Sequence, residues 1–92
     1  MRIEGYIPHQ IFKITVFKSG SKYLLKFEDG EFEIIWKLRD GSVDNFKQIT
    51  NLVDHQMIGE IEKQFARLHR IRRDAFVRLE AVPPDENFEE II

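Results

Sequence analysis

From Phe46 to Ala81 the chain runs about 36 residues with no proline and a single glycine, Gly59. Stepping about 100° per residue from Phe46 places Ile49, Val53, Met57, Ile61, Leu68, Ile71, Ala75 and Leu79 within about 60° of one line. Ile58, Phe65 and Phe76 form one margin of that stripe, and the opposite side carries His55, Glu62, Lys63, His69, Arg70, Arg73 and Asp74. Only Leu52 and Val77 stand clearly out of phase. One phase held this long predicts a single amphipathic helix, continuous through Gly59, since glycine inside a helix costs only about 1 kcal/mol against alanine. Asn45 is placed as its N-cap, with Gln48 completing a capping box. Val82 and the pair Pro83-Pro84 end it.

The residues before this stretch alternate with a period of two. Phe12, Ile14 and Val16 share one face of Ile11–Lys18, and Tyr23, Leu25 and Phe27 share one face of Lys22–Glu28. Phe32, Ile34, Trp36 and Leu38 do the same in Glu31–Leu38. Such alternation predicts strands with one face buried. Asp29-Gly30 between two alternating runs predicts a hairpin with a two-residue turn. That turn sets Glu28 opposite Glu31, Phe27 opposite Phe32, Leu25 opposite Ile34 and Tyr23 opposite Trp36. A looser loop of about four residues joins the first two strands. Ile3–Ile7, ahead of Pro8, is a candidate outer strand, a place where a following proline is tolerated. Arg39-Asp40-Gly41-Ser42 reads as the turn into the helix.

The expected fold is therefore α+β: an antiparallel meander of three or four strands followed by one long C-terminal amphipathic helix. Residues 1–82 form a single domain, and the acidic segment 83–92, with Asp85, Glu86, Glu89 and Glu90, is expected to be mobile or loosely docked. A helix of about 36 residues is about 54 Å long, whereas strands of seven or eight residues reach about 25 Å. The sheet cannot cover the whole apolar stripe, and an uncovered stripe of this size asks for a partner. A second copy of the chain is the expected one, making a homodimer. Phe65, Leu68, Ile71, Arg72, Phe76 and Leu79 are its candidate interface.

Charge adds a second candidate. Lys63, Arg67, Arg70, Arg72, Arg73 and Arg78 are opposed by Asp74 alone between residues 63 and 78. Guanidinium groups bind phosphate bidentately, so Lys63, Arg67, Arg70 and Arg73 are the candidate anion or nucleic-acid contacts. Solvation of this face, or pairing with the acidic tail, is the favoured reading of the cluster. On the sheet, Ile11, Phe17, Leu24 and Ile35 point away from the expected core among Lys13, Lys22, Lys26 and Lys37. Phe17 is the aromatic best placed to meet a nucleobase.

Other classes find little support. Fourteen basic and sixteen acidic residues give a net charge of −2, which forces no polyanionic partner. Cysteine is absent, excluding disulfides and thiolate chemistry. His9, His55 and His69 lack partners at helical metal spacing. Ser19, Ser21 and Ser42 fall in turns, the glycines are dispersed, and Glu31 and Glu33 sit at a hairpin tip. No catalytic residue, cofactor, metal or small-molecule ligand is inferred. No apolar run approaches the about 20 residues needed to span a bilayer, and the first ten residues carry no hydrophobic signal core. The expectation is a soluble, cytoplasmic, non-catalytic interaction domain.

Overall fold

The computed structural model describes residues 1–39 and 41–81. The acidic segment 83–92, expected to be mobile or loosely docked, lies outside the described residues, as does the helix stop at Val82 and Pro83-Pro84. Four strands come first: β1 (Arg2–Ile7), β2 (Lys13–Ser19), β3 (Lys22–Glu28) and β4 (Glu33–Leu38). They form one antiparallel sheet in the order β1-β2-β3-β4. Two helices follow, α1 (Phe46–Leu52) and α2 (His55–Ala81). The class is α+β, with a four-stranded meander ahead of a long C-terminal helix. Its packing divides into two units, Met1–Ile61 and the described residues from Glu62 to Ala81.

In the first unit, the strand faces expected to be apolar are the buried ones. Phe12, Ile14, Val16, Tyr23, Leu25 and Phe27 are buried, joined by Ile49 from α1 and Ile61 from α2. The face expected on β4 is less covered: Phe32, Ile34 and Leu38 are half-buried and Trp36 is exposed. Trp36 shares the core face but lies on β4, which among the described residues has a strand neighbour on one side only, and it keeps 40% of its surface exposed. The candidate strand at the N-terminus is present, with an irregular step between Ile3 and Gly5. Beyond it, His9 closes the turn into β2. Its ring stacks on Phe12 at 5.0 Å, and its Nδ1 accepts N–H bonds from Ile11 and Phe12, both at 3.2 Å.

Both hairpin turns differ from the expectation. The β2–β3 connection is tighter, because Ser19 pairs with Lys22 and leaves only Gly20 and Ser21 between them. Gly20 has φ 63° and Ser21 has no positive φ, the pattern of a II′ turn with glycine in first place. The β3–β4 connection is longer. Asp29 accepts N–H bonds from Glu31 at 3.1 Å and Phe32 at 2.9 Å, and its own N–H donates to the Phe32 carbonyl at 3.2 Å. This local pairing holds residues 29–32 in the loop, so Glu28 faces Glu33, Phe27 faces Ile34, and Leu25 faces Trp36. The register thus moves by two residues from the one expected. A shift of two leaves every side chain on its own face, which is why the core survives the error.

The single helix from Phe46 is also corrected. Gly59 does not interrupt it, and the break comes earlier, at Val53 and Asp54. Asn45 caps α1 as expected, accepting the Gln48 N–H at 2.9 Å, while Gln48 Oε1 takes the Asp44 N–H at 2.7 Å. At the other end Val53 has φ −84° and ψ 76°, and the Asp54 N–H donates to the Leu52 carbonyl at 3.0 Å. This is an inverse γ-turn. Asp54 then caps α2 by accepting the Met57 N–H at 2.9 Å. Leu52, out of phase in the sequence, is exposed at the break. Gly59 lies inside α2, and a Cβ built there meets nothing within 4 Å. Gly59→Ala should therefore raise stability by about 0.5–1 kcal/mol, read as a higher urea midpoint with an unchanged slope. An unchanged or lower midpoint would mean that the site is crowded.

Candidate interaction surface

α2 has 27 residues and is about 40 Å long. Its C-terminal part, in the second unit, is where both candidate sites fall. Relative to Leu68, about 100° per residue puts Phe65, Arg72, Phe76 and Leu79 within about 80° on one side and Ile71 about 60° away on the other. The helix thus brings the six candidate interface residues onto one broad stripe. They differ in exposure. Phe65 is buried and Leu68 half-buried, whereas Ile71, Phe76 and Leu79 are each between 50% and 52% exposed. Arg72 lies in the stripe with its guanidinium 5.3 Å from the centre of the Phe76 ring, a cation–π contact that screens part of the ring.

A finer order runs within the stripe. Ile58, Ile61, Phe65, Leu68, Arg72, Ala75 and Leu79 follow one another in alternating steps of three and four residues. That is the seam of a heptad pattern with one charged residue, Arg72, inside it. The 3.6-residue wheel blurred this seam into a wider band. Among the described residues α2 is the element that carries it.

Lys63, Arg67, Arg70 and Arg73 are all exposed and lie between about 140° and 260° from Leu68. They form a row on the side away from the seam, with Val77 exposed among them. Arg73 Nε is 3.7 Å from Asp74 Oδ1. Both groups are well exposed, so this pair adds little to stability. The row can hold an anion or stand solvated without disturbing the apolar side.

The outward face of the sheet, which the sequence offered only through Phe17, has its own pattern. Lys26 Nζ lies 5.3 Å from the centre of the Phe17 ring and 3.6 Å from Glu28 Oε2. Lys13 Nζ lies 5.8 Å from the Tyr6 ring. Tyr6 was not singled out in the sequence because β1 was too short and irregular to assign its faces. Among the described residues no three His, Asp or Glu side chains gather as metal ligands would, and no helix is long and apolar enough to cross a membrane. Comparison of the chain with protein-family models, with curated proteins and with solved structures finds no match.

Proposed function

We propose that this chain is a non-catalytic interaction domain that pairs with a second copy of itself through the C-terminal part of α2. One observation carries the reading: Leu79 in the heptad seam and Ile71 and Phe76 on its flanks stand half exposed. Water contact on three such side chains is unfavourable by about 1 kcal/mol each at half exposure. Two-fold pairing removes the penalty from both copies at once. Arg72 inside the seam sets the register, as a single charged seam residue does in paired helices. A cytoplasmic setting agrees with the absence of cysteine.

Sedimentation of the full chain at micromolar concentration tests this. The expected species has twice the 11.0 kDa chain mass. Ile71→Glu combined with Leu79→Glu should raise the dissociation constant about a hundredfold or more, giving a monomer whose Trp36 fluorescence still reports a cooperative unfolding transition. A wild-type chain that sediments as a monomer at every concentration overturns the proposal.

The exposed row of Lys63, Arg67, Arg70 and Arg73 favours a second reading, a phosphate or nucleic-acid contact on the side of the helix that pairing leaves free. Retention on heparin at low salt, abolished by changing Arg67, Arg70 and Arg73 to Glu, would support it. Its failure leaves the pairing proposal untouched, since the two sides share no residue.

A further inference from the structure

On the outward face of the sheet, two ring–ammonium pairs cross over one threonine. Thr15 stands opposite Tyr6 on β1 and opposite Lys26 on β3. Lys13 and Phe17 lie two residues to either side of it on β2, and therefore on the same face. Lys13 sits over the Tyr6 ring and Lys26 over the Phe17 ring. Beneath them Thr15 is only 2% exposed, although it belongs to the face turned away from the core. Its Oγ1 is buried without a hydrogen-bond partner among the described residues. A valine would fill the same space without leaving a polar atom unpaired, and β-branched apolar residues suit the position.

We propose that this cross of residues is a binding site for single-stranded nucleic acid, one base stacking on Tyr6 and the next on Phe17. The same ring face serves either a cation or a base, so a base displaces the ammonium group and the ammonium turns to the neighbouring phosphate. The two lysines thus hold the rings ready in the free protein and supply the counter-charge in the complex. Their departure uncovers the Thr15 hydroxyl, which gains a base edge or phosphate oxygen as partner. Charge on the surrounding face agrees: Lys13, Lys22, Lys26 and Lys37 along β2, β3 and β4 outnumber Glu28 and Glu33. Glu28 opposes binding, because its carboxylate competes for Lys26 at 3.6 Å. Ile35 and Tyr6 are exposed on this face, and Phe17 and Leu24 are half-buried, so the rings are within reach of a ligand.

The test is fluorescence anisotropy of the full chain with a short labelled oligothymidylate at low salt, with thymidine monophosphate as competitor. Binding is expected, weakening as salt rises. Tyr6→Leu and Phe17→Leu should each weaken it about fivefold or more. Lys13→Gln should flatten the salt dependence, and Glu28→Gln should tighten binding. Thr15→Val is the distinguishing variant, since it should raise the unfolding midpoint while lowering affinity. Thymidine monophosphate binding as tightly as the strand keeps the site and assigns it to a free nucleotide. The proposal is overturned if neither ligand binds, if the two ring variants or Thr15→Val leave affinity unchanged, or if binding is lost only when Arg67, Arg70 and Arg73 are changed to Glu.

Discussion

Phe27→Ala should lower the free energy of unfolding by about 3–5 kcal/mol. Phe27 is 0% exposed and stands between Ile14 on β2 and Ile34 on β4 in the middle of the sheet. Removing the ring deletes its burial and leaves a cavity among side chains fixed by three strands, which cannot collapse far. A domain of this length has about 5–14 kcal/mol in total, so the variant should be near the edge of folding at room temperature. Trp36, the one tryptophan in the chain, gives the readout in a urea titration. Phe27→Leu should recover more than half of the loss, because it restores most of the volume. A loss below about 1 kcal/mol for the alanine variant would place the centre of the core elsewhere.

The second large effect is expected from the smallest change. A Cβ on Gly5 would meet the Phe46 ring at 2.8 Å and 2.9 Å. Gly5 does not need positive φ, so backbone conformation alone would let Gly5→Ala stabilise the strand by about 0.5–1 kcal/mol. The ring reverses the sign. Phe46 is the first residue of α1, which packs on β1, and its ring must move or the helix must shift outward. Gly5→Ala should therefore destabilise by about 1–3 kcal/mol. Phe46→Leu should relieve the clash, so the double variant should be more stable than the sum of the two singles allows. Strict additivity would show that the two residues do not touch.

The sheet was readable because alternation in β2, β3 and β4 has a period that no helix can share, and because a two-residue register error leaves side chains on their faces. The turns were less readable. Asp29-Gly30 has the composition of a two-residue turn, yet the Asp29 carboxylate captured two N–H groups and lengthened the loop. Nothing in periodicity reports that choice, which is made between hydrogen bonds of similar strength. The helix break was hidden for a related reason. Val53 keeps the helical phase, and Asp54 can sit on a solvated helix face as easily as at an N-cap. The out-of-phase Leu52 was the available signal. Trp36 was assigned to the core by its face alone, since alternation gives the side of a sheet and not how far its cover extends. The heptad seam was present in the sequence but was averaged away by stepping at 3.6 residues. The cross around Thr15 depends on which residues stand opposite one another on three strands, including the irregular β1. It could not be assembled before the register was known.

The meander also has two rims with unequal defences. On β1 the irregular step between Ile3 and Gly5 disrupts the row of backbone groups, and Pro8 follows the strand. On β4 the run Glu33–Leu38 is regular, carries Ile34, Ile35, Trp36 and Leu38, and its outer N–H and C=O groups pair with no other strand among the described residues. Only Glu33 and Lys37 on this run discourage the arrival of a further strand. Fibrous association during refolding should accordingly start from β4, and a third charge, at Ile35, would be the natural gatekeeper against it.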